Sequence, residues 1–305
     1  MTFRLAHVTD PHFRGLTGLA PRDLLSKRLP GLVNAWLRRR RLHDMNLVRS
    51  LGEDLRHRGC DHLVVTGDLS NVGLAGEWHA ALAWLQTTGA GPESVTVIPG
   101  NHDLYSRDIV ASGAFERTFG SFQEAQLRPP GARYPFVRLR GRVALVGVNS
   151  CEPTPTLQSW GRVGEAQLRA LDALLVSPEM RGCTRVVLIH HPPIVYRGGE
   201  RRNLRDRSRF LEVISRAGAE LVLHGHDHRD ALTWVEGPRG TRVPVVGLGS
   251  ASYAGRPEAR ARYNVYEFGP DGITATTFAH DPVLHRFGEV QRQVLADPSP
   301  AACRV

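Results

Sequence analysis

Val95-Thr96-Val97-Ile98-Pro99-Gly100-Asn101-His102-Asp103 runs from a β-branched strand straight into a Gly-Asn-His-Asp turn. The same design recurs at four other places. The predicted strand Arg4–Thr9 leads into Asp10-Pro11-His12, and His62–Thr66 into Gly67-Asp68. Arg185–His190 leads into His190-His191-Pro192-Pro193, and Leu221–His224 into Gly225-His226-Asp227-His228. Each time a carboxylate, amide or imidazole stands just past the carboxyl end of a strand, where open α/β sheets place their ligands.

Working outward, further strands are predicted at Phe136–Leu139, Val143–Asn149, Val243–Leu248, Tyr263–Phe268 and Ile273–Phe278. Val143–Val148 and Val186–Ile189 are unbroken apolar runs, which suit strands buried on both faces. Helical spacing appears between them. Met45–Arg58 sets Leu47, Val48, Leu51 and Leu55 on one face, and Gly76–Thr87 does so with Trp78, Leu82 and Leu85. Glu165–Leu175 and Arg207–Ala217 are similar. The chain is β-α-β in style for two-thirds of its length and richer in strands thereafter. Two sheets packed face to face with helices outside accommodate both parts. No Pro/Gly/Ser linker divides it, so residues 1–296 are expected to form one domain, with 297–305 a disordered tail.

Composition narrows the classes. The 305 residues are 41% hydrophobic and 23% charged, a globular balance, with a net charge of +9. Lys27 is the only lysine, so the positive charge is arginine; this excludes a P-loop Gly-Lys pair and suits phosphate recognition. A GC-rich coding sequence gives the same Arg bias without any functional demand. Cys60, Cys151, Cys183 and Cys303 are widely spaced with no C-x-x-C pair. Together with a strand that starts at Phe3 instead of a signal peptide, this points to a cytoplasmic protein. No apolar run reaches membrane-spanning length.

Each of the five segments has a bland alternative: Gly-Asp after a strand is ordinarily a turn or a cap, and Gly-His-Asp-His an exposed turn. All five at strand ends are hard to attribute to coincidence. A mixed Asp/His/Asn donor set suits first-row metals such as Mn, Fe or Zn, and argues against calcium or a cysteine-built structural zinc. In extended backbone, residues i and i+2 point to the same side, so Asp10 and His12 are expected to reach one ion, and His226 and His228 repeat that spacing.

The series Asp-x-His, Gly-Asp, Gly-Asn-His-Asp, His-His-Pro-Pro and Gly-His-x-His resembles the calcineurin-like metallophosphoesterase superfamily. Its spelling is most similar to the class III cyclic-nucleotide phosphodiesterase and glycerophosphodiesterase branch. The resemblance implies a four-layer α/β/β/α sandwich of two mixed β-sheets flanked by helices. It implies Asp10, His12 and His228 on a first metal, Asn101, His190 and His226 on a second, and Asp68 bridging both. His102 would then be the catalytic histidine outside the metal shell, with His191 no ligand and Asp103 orienting His102 or capping the next helix. The implied reaction is hydrolysis of a phosphodiester by metal-activated hydroxide, since two nearby ions hold both the attacking and leaving oxygens.

Substrate choice is expected to fall to two basic stretches. The insertion 13–42 places Leu32, Val33, Trp36 and Leu37 on one helical face, with Arg38–Arg41 following; it reads as a packing element, a lid, or a contact of 27–41 with anionic lipid. The loop after His191 offers Arg197, Arg201 and Arg205, and the end of the Val143–Asn149 strand offers Asn149. No basic stripe interleaved with aromatics suggests a specific nucleic-acid surface. Two alternatives stand beside the diesterase: a hydrolase of a lipid-linked nucleotide pyrophosphate, and a non-catalytic metal-binding scaffold.

Overall fold

A computed structural model of the chain describes residues 2–19, 21, 27–34, 42–196, 201–270 and 272–295. Among these residues, twelve strands form two six-stranded sheets. β1 (Phe3–Val8), β2 (His62–Val65) and β3 (Val95–Val97) run parallel. On the other side of β1, β10 (Arg262–Gly269), β11 (Gly272–Asp281) and β12 (Arg286–Leu295) form an antiparallel meander. The second sheet is ordered β4 (Phe136–Arg140), β5 (Val143–Gly147), β6 (Thr184–Leu188), β7 (Leu221–His224), β9 (Arg242–Gly247), β8 (Ala231–Glu236). Its four inner strands are parallel and its two edges antiparallel.

The sheets pack through Leu5, Val64, Ile98, Leu145, Val186, Leu188, Leu223 and Tyr266. The helices are α1 (Arg28–Asn34), α2 (Met45–Arg58), α3 (Ala75–Thr87), α4 (Arg107–Ser112), α5 (Ala114–Phe119), α6 (Glu165–Leu175) and α7 (Arg207–Ala217). α2 and α3 cover the outer face of the first sheet with Leu47, Leu51, Trp78 and Leu85, and α6 and α7 cover the second with Leu171, Leu175, Phe210 and Ile214. The expected four layers are present.

Two strands escaped the sequence reading, and both lie at sheet edges. β8 is only half-buried and β12 mostly exposed, so neither carries a strong apolar pattern. The short helices α4 and α5 were also missed. In the insertion, α1 forms as far as Asn34; Trp36, Leu37 and Arg38–Arg41 lie outside the described residues, as does the tail 297–305.

One side chain ties the two sheets together near β3. Arg138, on β4, is buried, and its guanidinium donates to the carbonyls of Val95, Phe122 and Pro92 and to Thr96 Oγ1. Beside it His62 Nε2 is 2.8 Å from Thr96 Oγ1, and Arg140 Nε donates to His62 Nδ1 at 3.3 Å. Burial, then the charges of Arg140 and Arg138, push the His62 pKa down from 6.5 to about 2. Below pH 6.5 the unfolded chain therefore takes up a proton that the folded chain refuses. The stability that neutral His62 contributes is complete above that pH and is lost progressively on acidification. His62→Gln, which keeps both a donor and an acceptor, should flatten the acid fall of unfolding free energy by up to about 1.4 kcal/mol per pH unit. Denaturant titrations at a series of pH values check this; equal slopes for both proteins would refute it.

Candidate metal centre

All five motif segments converge beyond the carboxyl ends of β1, β2, β3, β6 and β7. The chain does not continue in extended form there. Asp10 (φ 53°), His12 (φ 49°), Asp68 (φ 53°), His226 (φ 71°) and His228 (φ 50°) all adopt left-handed backbone, which is uncommon outside glycine. The expected strand-like alternation at Asp10/His12 and His226/His228 is thus corrected: consecutive tight turns, not a pleat, bring each pair to one side. Strain of this kind collects at functional sites and persists only where the surroundings enforce it. Two glycines permit the crowding. A Cβ at Gly100 would collide with the nitrogen and Oδ1 of Asp68, and one at Gly225 with Thr9 Oγ1.

The donors form two groups sharing one carboxylate. Asp10, His12, Asp68 and His228 each offer an atom within 4.8 Å of the others, and so do Asp68, His190 and His226. Asn101 Oδ1 stands 3.2 Å from His190 Nε2 and 2.9 Å from His226 Nδ1, completing the second group.

The hydrogen bonds around these residues leave electron pairs pointing at one another. His12 Nδ1 donates to the Ser70 carbonyl at 3.1 Å, which turns the lone pair of Nε2 toward His228 Nε2 at 3.0 Å and the carboxylates of Asp10 and Asp68 at 3.9 Å. Asp10 Oδ1 is buried and receives no hydrogen bond, although Thr9 Oγ1 and the His226 N–H both donate to Oδ2. His190 Nδ1 donates to the Thr66 carbonyl at 2.8 Å, aiming Nε2 at Asp68 Oδ1, 3.5 Å away. Convergent imidazoles around an orphaned carboxylate oxygen fit cations, which would take the place of protons there. The electrostatics agree. Burial alone would raise the Asp68 pKa, but His190, His102 and His12 outweigh it and hold the carboxyl well below its usual range. Burial likewise opposes the His190 imidazolium, yet Asp68 lifts its pKa to about 9. His226 is pushed well down by burial and by His191 and His190. The centre draws positive charge toward Asp68.

Several neighbours hold this arrangement. Asp103 does not cap the next helix, whose N-cap is Ser106. Its carboxylate accepts from the backbone nitrogens of Gly100, Leu69 and Ser70 and from Ser70 Oγ, stitching the turn after β2 to the turn after β3. His191 is buried between Ser150 Oγ (2.9 Å) and the Ser159 carbonyl (3.1 Å), and its ring lies 4.4 Å from that of His226. His102 Nδ1 faces the Asn71 carbonyl at 2.5 Å, and Nε2 lies 4.0 Å from Asp68 Oδ2.

A cavity of about 470 Å³ opens over the centre. Its floor includes Asp68, Asn101, His102, His226 and His228; its walls are Pro30 and Gly31 of α1, Tyr105, Arg202 and the 154–159 loop. The insertion is therefore a wall of the cavity as far as it is described. Lys27 Nζ donates to the Thr154 carbonyl at 2.7 Å over the face of Tyr105, and Arg28 pairs with Asp108 at 3.1 Å. Burial, then Arg28, lowers the Lys27 pKa to about 8.

Of the expected substrate residues that are described, Arg201, Arg205 and Asn149, none is among those lining this cavity. Arg205 stacks on Trp160, 3.6 Å from the ring centre, and Arg201 is exposed. Asn149 Oδ1 is occupied by the Cys151 N–H. Arg197 lies outside the described residues. Among the described residues, the arginine that reaches the cavity is Arg202, whose carbonyl also accepts from His226 Nε2 at 3.1 Å. Nothing in the run of arginines distinguishes it from its neighbours, because loops have no period from which a side-chain direction can be read.

Comparison with known proteins gives the same picture. Residues 3–230 match the family described as calcineurin-like phosphoesterase. A probable cyclic nucleotide phosphodiesterase of Synechococcus sp. is 27% identical over 223 residues, covering 72% of this chain and 76% of that protein. Among solved structures, a dimetal phosphatase from Danio rerio superposes with a TM-score of 0.59 at 15% identity, covering 97% of this chain and 99% of the other. A purple acid phosphatase from yellow lupin superposes at 0.60 with 12% identity, covering 95% of this chain and 53% of the lupin chain. With its sandwich, its paired donor groups and this match over most of its length, the chain belongs to the calcineurin-like phosphoesterase family and is a metal-dependent phosphoric ester hydrolase with a dinuclear metal site.

Proposed function

We propose that the chain is a phosphodiesterase acting on cyclic nucleotides or similarly small phosphodiesters. The observation that carries this reading is the cavity of about 470 Å³, which sets Arg202 and His102 around the donor cluster and is walled in by α1 and the 154–159 loop. That volume lies within the range of small-ligand sites. The description of the Synechococcus relative as a probable cyclic nucleotide phosphodiesterase supports the same class.

In this reading Asp10, His12, Asp68 and His228 hold one cation, and Asp68, Asn101, His190 and His226 the other. The cations would be Mn, Fe or Zn, which suit imidazole mixed with carboxylate and amide. Such ions supply Lewis-acid charge to the phosphoryl oxygens. The chain's own residues do the rest. The Arg202 guanidinium presents a planar fork to an anionic substrate. His102, with Nδ1–H on the Asn71 carbonyl, presents Nε2 to the cavity; as the imidazolium, protonated at both nitrogens, it can hand the Nε2 proton to the departing alkoxide and be left neutral. Ser70 and Thr66 keep His12 and His190 in the tautomer whose Nε2 lone pair points inward. We propose that residues 1–296 work as one such domain.

A substrate panel tests the reading. Cyclic AMP, cyclic GMP, a glycerophosphodiester, a UDP-sugar lipid and single-stranded DNA would each be offered with Mn, Fe or Zn. The expected result is a kcat/KM for the cyclic nucleotides or the glycerophosphodiester about tenfold or more above the lipid and the DNA. Highest turnover on either of the last two would overturn it.

A further inference from the structure

His43 belongs to neither donor group, yet its ring meets those of His12 and His228, and two serines link it to the Asp10 backbone. It directly follows the inserted segment 13–42. The residue is 5% exposed, and its ring meets those of His12 and His228 nearly edge-on, with centroids 5.2 and 5.7 Å away. Its Nδ1 lies 2.7 Å from Ser252 Oγ. Ser252 Oγ is 3.2 Å from Ser250 Oγ, which donates to the Asp10 carbonyl at 2.7 Å. The backbone is pinned as well. Asp44 N donates to the Ser252 carbonyl at 2.8 Å, the Arg14 guanidinium donates to the His43 carbonyl, and His43 bridges to Tyr253. By contrast, the rings around His190 and His226 are those of His191 and of each other.

We propose that His43 is a positioning residue for the metal position formed by Asp10, His12 and His228. It sets the affinity of that position and not of the His190/His226 position. The proposal rests on the dinuclear reading above. The physical argument is orientational. A metal-binding imidazole delivers its lone pair only if its ring plane is held, and partners one step removed from the metal commonly do the holding. His12 is fixed at Nδ1 by Ser70. His228, whose side chain is 27% exposed, packs by its ring against His12 and His43. Removing the His43 ring takes away packing that steadies His228 and one side of His12, while Ser70 still holds His12 Nδ1 and the serine pair still holds the Asp10 backbone.

The test is Mn²⁺ binding to the full chain, stripped of metal and titrated against a chelating dye, with the thermal midpoint of the stripped protein measured alongside. Two variants separate positioning from packing. His43→Ala removes ring and hydrogen bond; His43→Asn keeps a donor for Ser252 and removes the ring. Both should weaken one Mn²⁺ about 10- to 100-fold and leave the other unchanged. His43→Asn should also keep the stripped protein's thermal midpoint close to that of the unaltered chain. The proposal is overturned if His43→Asn binds both ions at unaltered affinity, or if both ions weaken equally. Failure of the unaltered chain to bind two Mn²⁺ ions would instead sink the dinuclear assignment, and the proposal with it.

Discussion

Asp68→Ala is expected to lose hydrolysis and metal binding together. Among the described residues Asp68 alone belongs to both donor groups, and His190, His102 and His12 all draw its carboxyl into the charged form. Without it, neither group keeps a full set of donors, and the remaining imidazoles repel one another's partial charge at either position. The Lewis-acid contribution in such sites is several kcal/mol, so activity on bis-p-nitrophenyl phosphate should fall about a thousandfold or more. Metal content, measured on protein dialysed against Mn²⁺, should fall with it. Because Asp68 Oδ1 also accepts the His102 N–H at 2.8 Å, circular dichroism must accompany the assay to establish that the variant is folded. A folded Asp68→Ala protein with full activity in metal-defined buffer would contradict the assignment.

His102→Ala separates proton transfer from metal binding. The imidazole reaches the cavity but belongs to neither donor group, so both metals should remain. Turnover should drop about a hundred- to ten-thousand-fold, the usual contribution of a positioned acid or base. The loss should be larger for alkyl esters than for p-nitrophenyl esters, because an alkoxide needs a proton to depart and p-nitrophenolate does not. Equal losses on both ester types would remove His102 from that role. Loss of a metal in this variant would place it in the metal shell instead.

The two expectations differ in how far the sequence alone supports them. The residues that the fold brings into the two groups were readable because each stands at a strand end and because β1, β2, β3, β6 and β7 are largely buried strands. The helices Met45–Arg58, Glu165–Leu175 and Arg207–Ala217 were readable for the related reason that one face of each is apolar. Where one face or one edge meets solvent the pattern fades, and β8 and β12 were lost there. The left-handed turns at Asp10, His12, Asp68, His226 and His228 were not foreseen, because nothing short of the tertiary crowding around Gly100 and Gly225 requires them. Substrate residues were the least legible. Arg202 and Arg201 are adjacent and chemically identical, and only the path of the loop decides which one faces the cavity. His43 gave no signal either, since its role depends on Ser252, more than two hundred positions away.

The insertion illustrates how charge in a sequence misleads about direction. Its described basic residues do not all face outward. Lys27 is spent on the Thr154 carbonyl and Tyr105, and Arg28 on Ser106 and Asp108, so both fasten the insertion to the cavity rim. Among the described residues no helix is long and apolar enough to cross a membrane.

The central claim is that one carboxylate, Asp68, joins two cations. Anomalous diffraction from crystals of the chain loaded with Mn²⁺ tests it most directly. The account predicts two peaks about 3.5–4 Å apart with Asp68 between them, one beside Asp10, His12 and His228 and the other beside Asn101, His190 and His226. A single peak, or a pair that does not share Asp68, would contradict it.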